Sequence, residues 1–282
     1  MRMLTRLETA DSLDPVSDKL QEAVAALVRP RRVRDWLHGT WLGHPLHPVL
    51  VQAPVGAFVC AAVLDLIPGR SRSATTLIAA GTASAAPAVA AGLLDWSEMT
   101  KDRRRVGLVH AGANLAALGL YAGSLLARFR GDTTRGKALA FAGLSVAGLG
   151  AYLGGHLAYA QGAGTNQAAP EIARIPPGWT PMGSLASLPD GRPVVRNVGE
   201  VPVLIYRLGD RVTAMIERCA HESGPLGKGD VVGEGSEACV VCPWHGSTFR
   251  LTDGAVVHGP AASSQPVLPT RVRAGQVEIR QP

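Results

Sequence analysis

Aromatic side chains are scarce in this sequence: its 282 residues include four Phe, four Tyr and five Trp. A net charge of +6 would otherwise suggest nucleic acid as a partner. Binding single strands calls for stacking rings interleaved with basic residues, and no such interleaving occurs, so nucleic acid is not expected as a partner. Cysteine is also sparse. Cys60 stands alone in an apolar run, and the other three, Cys219, Cys239 and Cys242, lie within 24 residues of one another. No disulfide framework follows from that pattern. Charge is low as well, at 18% of residues, and it is nearly missing from four long stretches.

Those stretches are Leu46–Ile67, Ala74–Leu94, Val106–Ala127 and Ala138–Ala160, of 21 to 23 residues each, with Asp65 as their one charged member. A helix of that length crosses a hydrocarbon core of about 30 Å. The stretches are rich in Ala and Gly, with small-residue spacings such as Gly143/Ala147 and Gly150/Gly154 that let helices approach closely in lipid. A four-helix transmembrane bundle is predicted over residues 41–162, in preference to a soluble Ala-rich bundle. Residues 1–40 are polar and then basic, and read as an amphipathic segment on the membrane surface, a twin-arginine signal being the alternative. Basic residues cluster in the loops between apolar runs, as expected beside anionic lipid.

From Gln161 to Pro181 the composition turns to Gly, Ala, Asn and Pro, so residues 163–178 are expected to form a linker. Short strand-like runs fill residues 179–282, at Pro193–Asn197, Pro202–Arg207, Arg211–Glu217, Cys239–Val241, Ala255–His258 and Gln276–Arg280. The fold class is therefore α+β multidomain, a helical membrane bundle followed by an all-β domain.

Two Cys/His pairs lie in the β region: Cys219/His221 as C-x-H and Cys242/His245 as C-x-x-H. Two thiolates and two imidazoles suit zinc or an iron–sulfur cluster. Zinc fingers normally place two to four residues between paired ligands, and the first pair here has one. The stretch C-A-H-E-S-G-P-L followed by C-P-W-H-G-S-T-F resembles the Rieske [2Fe–2S] family. That resemblance implies one cluster per chain, with Cys219 and Cys242 on the inner iron and His221 and His245 on the outer iron. It also implies supporting roles for Gly224, Pro225, Pro243 and Ser247, the Ser hydroxyl donating to a bridging sulfide. The extra cysteines of the respiratory type would fall at Gly224 and Trp244, so the ferredoxin and oxygenase type is the better match. Phe249 stands where high-potential members have Tyr, which implies an intermediate or lower potential.

After His245 the sequence offers one further His, His258, and 37 residues. A mononuclear iron site of two His and a carboxylate is not expected there. The activity implied is one-electron transfer between an unknown donor and acceptor, as a component and not a self-contained enzyme. A non-redox membrane module with a structural zinc site is the alternative.

The opening Gly43-His44-Pro45-Leu46-His47-Pro48, with Gly92-Leu93-Leu94-Asp95-Trp96 and Gly154-Gly155-His156, is similar to the DUF2231 family of small membrane domains. Four spans place His44, His47, Asp95, His110 and His156 in one layer on the side of the Rieske domain. Intramembrane ionisable groups are functional candidates. Haem, with His110 and His156 as its axial pair, another metal, or quinone are the readings for this layer, beside plain helix-end contacts. Near the membrane, eight basic residues on the N-terminal side (Arg29, Arg31, Arg32, Arg34, Lys101, Arg103, Arg104, Arg105) face six on the other (Arg70, Arg72, Arg128, Arg130, Arg135, Lys137). That excess predicts a multi-pass protein of a bacterial plasma membrane with the Rieske domain cytoplasmic.

Overall fold

The structure is a computed structural model and describes residues 2–282. The chain folds as two compact units. One comprises the chain up to Arg29 together with Leu46–Ala163, and the other Pro30–Pro45 together with Gly164–Pro282.

The first unit is helical. Helices α1 (Arg2–Glu8) and α2 (Asp14–Leu27) precede Pro30, whose missing N–H and restricted predecessor separate α2 from the next helix, α3 (Arg31–His38). Helices α4 (His47–Leu50) and α5 (Gln52–Leu66) form the first of four candidate membrane spans. Helices α6 (Ser71–Ser97) and α7 (Lys101–Phe129) form the second and third. The fourth combines α8 (Thr133–Gly155) with a π-turn, His156–Ala160.

Gly136, Gly143 and Gly150 recur every seven residues along α8 and accept side chains that recur every seven along α7: Arg128, Tyr121 and Asn114. Seven residues make nearly two turns, so each series keeps to one side of its helix. A Cβ at Gly143 would lie 3.3 Å from the Tyr121 ring, and one at Gly150 would lie 2.7 Å from the Asn114 amide. The Tyr121 ring in turn stacks on Phe58, with centroids 3.7 Å apart. At one end of the bundle Arg128 forms a fully enclosed ion pair with Asp65 and also donates to Ser124 Oγ at 3.1 Å. Lys137 Nζ donates to the Asp65 carbonyl at 2.6 Å.

The acidic face of α2 docks in the same unit. Asp14 accepts from Arg105 at 2.7 Å, and Asp18 accepts from Arg104 at 2.6 Å. The hydrogen bond from Arg105 holds the Asp14 carboxyl below its ordinary pKa.

In the second unit, β2 (Val194–Val198), β3 (Val201–Leu208), β4 (Arg211–Ile216) and β9 (Val267–Leu268) make one antiparallel sheet. A second sheet runs β5 (Asp230–Val232), β6 (Cys239–Val241), β7 (Thr248–Arg250), β8 (Val256–His258). Strands β1 (Thr180–Ser184), β11 (Gln276–Ile279) and β10 (Thr270–Arg273) form a third. Strand β3 is buried on both faces with a period of two. Val201, Val203 and Ile205 enter one core with Ile216 and Ile279, whereas Leu204 and Tyr206 enter the other with Val240, Phe249 and both Cys219 and Cys242. The prospective cluster residues thus belong to a packed core.

Two outlying segments complete this unit. Of residues 163–178, read as a linker, those from Gly164 onward belong to it: Ala168 and Ile175 are in its core, and Gln167 N donates to Ala220 O at 2.8 Å. Helix α3 packs near β7 and β8. Asp35 accepts from His258 Nδ1 at 2.8 Å and from Gly259 N at 2.9 Å, and Arg31 donates to Thr248 Oγ1 at 3.1 Å.

Candidate metal centre

Two loops carry the Cys/His pairs, and they are closed in the same way. Cys219 N donates to Gly224 O and Cys242 N donates to Ser247 O, both at 2.8 Å, so each closed loop spans six residues. Inside each neck the fifth residue returns a bond to the cysteine carbonyl at 3.0 Å, from Ser223 N in one loop and Gly246 N in the other. Both of those residues have positive φ, 59° and 77°. That backbone is ordinary for Gly246 and unusual for Ser223. The hairpin β6–β7, with Val241 opposite Thr248, sets the second loop, and an isolated bridge between Arg218 and Pro225 sets the first.

The cysteines are buried and mutually hydrogen-bonded. The proton held between them lifts the Cys219 thiol well above its usual range. Donation from Cys219 pulls Cys242 down to about 6, burial opposing it and the N–H groups of Trp244 and His245 assisting. The Cys219 sulfur likewise receives N–H groups from His221 and Glu222. In both loops, therefore, backbone donors two and three residues on are aimed at sulfur, as anionic sulfur requires.

The two imidazoles sit beside each other, ring centroids 5.1 Å apart and nearly perpendicular. Each is half-buried, with Nδ1 turned out of solvent contact. Among the described residues no three His, Cys, Asp or Glu side chains converge tightly enough to hold a single ion. A tetrahedral zinc needs all four ligands around one point. A sulfur pair and a separate imidazole pair instead suit two irons, each with its own ligand type. The donor set fits a [2Fe–2S] cluster.

The surrounding residues fall close to these groups. Ser247 is fully buried and its Oγ accepts from Ala261 N at 3.0 Å, which leaves the hydroxyl proton to donate elsewhere. A Cβ at Gly224 would lie 2.8 Å from Cys242 Sγ and 3.1 Å from the Trp244 ring. Pro225 pairs with Arg218 at the neck of the first loop, and Pro243 is exposed at the tip of the second. Two polar residues were not foreseen. Gln265 Nε2 donates to Ile216 O at 2.6 Å and Arg218 O at 2.7 Å, and its Oε1 accepts from Ala220 N at 2.9 Å. Glu217 Oε1 accepts from Gly227 N at 2.9 Å. Both hold backbone atoms, so their spacing from the Cys/His motifs carries no signal.

His44 belongs to the β unit, whereas His47, Asp95, His110 and His156 belong to the helical unit. His47 and His110 come together, with ring centroids 6.4 Å apart. The pairing of His110 with His156 expected for haem is not formed. Gly154 faces the His110 ring, whose Nδ1 meets the Gly150 carbonyl, and a residue two beyond Gly154 on a helix of 3.6 residues per turn lies on another face. His156 Nε2 instead meets Glu8 Oε1 at 2.8 Å.

Residues 178–270 match the family model of the Rieske [2Fe-2S] domain, and residues 43–167 match DUF2231, described as a predicted membrane protein. The ferredoxin subunit of anthranilate 1,2-dioxygenase from Burkholderia cepacia is 32% identical over 101 residues, which cover 36% of this chain and 90% of that protein. Ferredoxin CarAc of Metapseudomonas resinovorans is 31% identical over 85 residues, 30% of this chain and 76% of the relative. Among solved structures, the ferredoxin of carbazole 1,9a-dioxygenase from Nocardioides aromaticivorans aligns at 23% identity over 37% of this chain and 98% of its own, with a TM-score of 0.34. Through its β unit the chain belongs to the Rieske [2Fe–2S] family of ferredoxin type, joined to a DUF2231 membrane domain.

Proposed function

We propose that this chain is a membrane-anchored electron carrier whose cluster is held by Cys219 and Cys242 on one iron and His221 and His245 on the other. The observation that carries the reading is the separation of a buried, mutually bonded thiol pair from a half-exposed imidazole pair. The cluster, when bound, supplies reversible one-electron chemistry at a potential raised by replacing two thiolates with neutral imidazoles. The chain's own residues do the rest. Backbone N–H groups of His221, Glu222, Trp244 and His245 steady charge on the cysteine sulfurs, and the Ser247 hydroxyl is positioned by Ala261 N. Cores on both sides of β3 keep water from the sulfur side. The imidazole edge reaches the surface beside the exposed Trp244 ring, so electrons enter and leave there. Substrate chemistry belongs to a separate oxidoreductase that accepts from this edge or supplies it.

The four spans give the membrane anchorage, with lipid as their surroundings. Eight basic residues against six favour a cytoplasmic β unit. Purified full-length protein should be brown, with equal iron and acid-labile sulfide, and should give a Rieske-type electron-resonance signal on reduction. A colourless protein containing zinc and no sulfide would overturn the proposal in favour of a structural zinc module.

A further inference from the structure

His47 and His110 are the two histidines of the helical unit that face each other, and each is set in a place made for it. His47, at the start of the first span, lies over Gly92 of α6, where a Cβ would be 2.7 Å from its Nδ1. His110 of α7 lies over Gly154 of α8, where a Cβ would be 3.0 Å from its Cε1. A side chain at Gly92 would displace the imidazole, and one at Gly154 would press against it.

The hydrogen bonds fix the chemistry of both rings. His47 Nδ1 is 2.8 Å from Ala88 O, and His110 Nδ1 is 2.8 Å from Gly150 O. A carbonyl can only accept, so in the neutral ring Nδ1 carries the proton and Nε2 carries the lone pair. Ligating histidines are usually oriented in this way, with one nitrogen donating to a carbonyl and the other left for the metal. An ion about 2.0–2.1 Å from each ring nitrogen holds two ring centres roughly 5 to 6.5 Å apart. The 6.4 Å between these centroids is at the upper end, the separation of two ligands on opposite sides of one ion. The rings are nearly perpendicular, at 84°, which two ligands of one ion tolerate. Imidazole nitrogens are the preferred ligands of zinc, copper, iron and nickel and poor ligands of calcium or magnesium.

We propose that His47 and His110 form a metal-ion site in the membrane domain, binding one divalent transition metal through their Nε2 atoms. Two protein ligands leave further positions to water or to an exogenous ligand, so the site is open and exchangeable. It is separate from the cluster site and stands whether or not the electron-transfer reading does.

The test uses the full chain as purified in detergent, its bound metals counted and any cluster oxidised so that it gives no electron-resonance signal, with Cu²⁺ as the probe metal. One equivalent should bind, with magnetic coupling to two imidazoles. Asn in place of His retains a donor at the Nδ1 position and removes Nε2, so His47→Asn and His110→Asn should keep the carbonyl bond while weakening Cu²⁺ binding at least ten-fold. His156→Asn should leave binding unchanged. No uptake by the wild type, uptake with fewer than two coupled imidazoles, or uptake indifferent to both Asn substitutions would each overturn the proposal. Should an Asn variant fail to assemble, the count of coupled imidazoles in the wild type decides.

Discussion

The Trp244 ring lies against Gly224, at the two positions where the respiratory type of Rieske domain would place a disulfide. A Cβ added at 224 meets the indole at 3.1 Å and Cys242 Sγ at 2.8 Å. Here a ring packed on a glycine brings the two loops together where a covalent bridge could have done so. Gly224→Ala is expected to displace either the indole or the sulfur, at a cost of about 1–3 kcal/mol. Iron content per chain should fall, while Trp244→Ala, which removes the ring and leaves the sulfur in place, should retain more iron. Equal iron in Gly224→Ala and wild type would show that the contact has no bearing on the cluster.

Cys239 and Cys242 are three residues apart and both buried, yet they are expected to behave oppositely. Cys239 Sγ donates to Glu237 O at 3.3 Å, away from the Cys219–Cys242 pair, and burial raises its thiol. Cys239→Ser should keep the cluster. Cys219→Ser and Cys242→Ser should lose it, hydroxyl being a much weaker ligand than thiolate. Electron resonance of the three reduced variants distinguishes the roles.

Gln265 is expected to matter more than its exposed-loop composition suggests. Its side chain makes three hydrogen bonds to the backbone at Ile216, Arg218 and Ala220, on either side of Cys219. Gln265→Leu preserves bulk and strands those groups, each at about 1–3 kcal/mol if it finds no water. The midpoint of thermal bleaching, followed at the cluster's visible absorption, should drop by several degrees. A midpoint within one degree of wild type would mean that solvent replaces the side chain at once.

Asp65 and Arg128 present the opposite case, a paired charge with little direct access to water. Asp65→Ala leaves the guanidinium enclosed without its counter-ion and should destabilise the membrane unit by about 3–5 kcal/mol. Replacing both partners, as Asp65→Leu with Arg128→Met, should recover much of that loss. Unfolding of the detergent-solubilised protein by helix content measures both. A double variant no better than the single would assign the loss to packing at Gly136, and not to charge.

What was legible in the sequence was local. Four apolar runs specify helices because hydropathy over about 20 residues is a contiguous property. The pairs at 219/221 and 242/245 stand out because ligand spacing is set by neighbouring residues. Strand β7 was hidden, since Thr248–Arg250 reads as the tail of the C-P-W-H-G-S motif. The depth of His110 and His156 along their helices could be counted, but which helix face meets which was not visible, and His47 proved to be the partner. The docking of α3 had no signal at all. Asp35 and His258 are 223 residues apart, and nothing in either neighbourhood points to the other.

That last pairing has a bearing on biogenesis. Asp35 emerges from the ribosome long before His258, and all four spans are made between them. The two can meet only if an even number of those spans has crossed the bilayer. A chain that skips one insertion strands α3 on the wrong side, and its β unit lacks the helix that binds His258, Gly259 and Thr248. The clasp therefore reports the parity of insertion: it can close after two or four crossings and stays open after one or three.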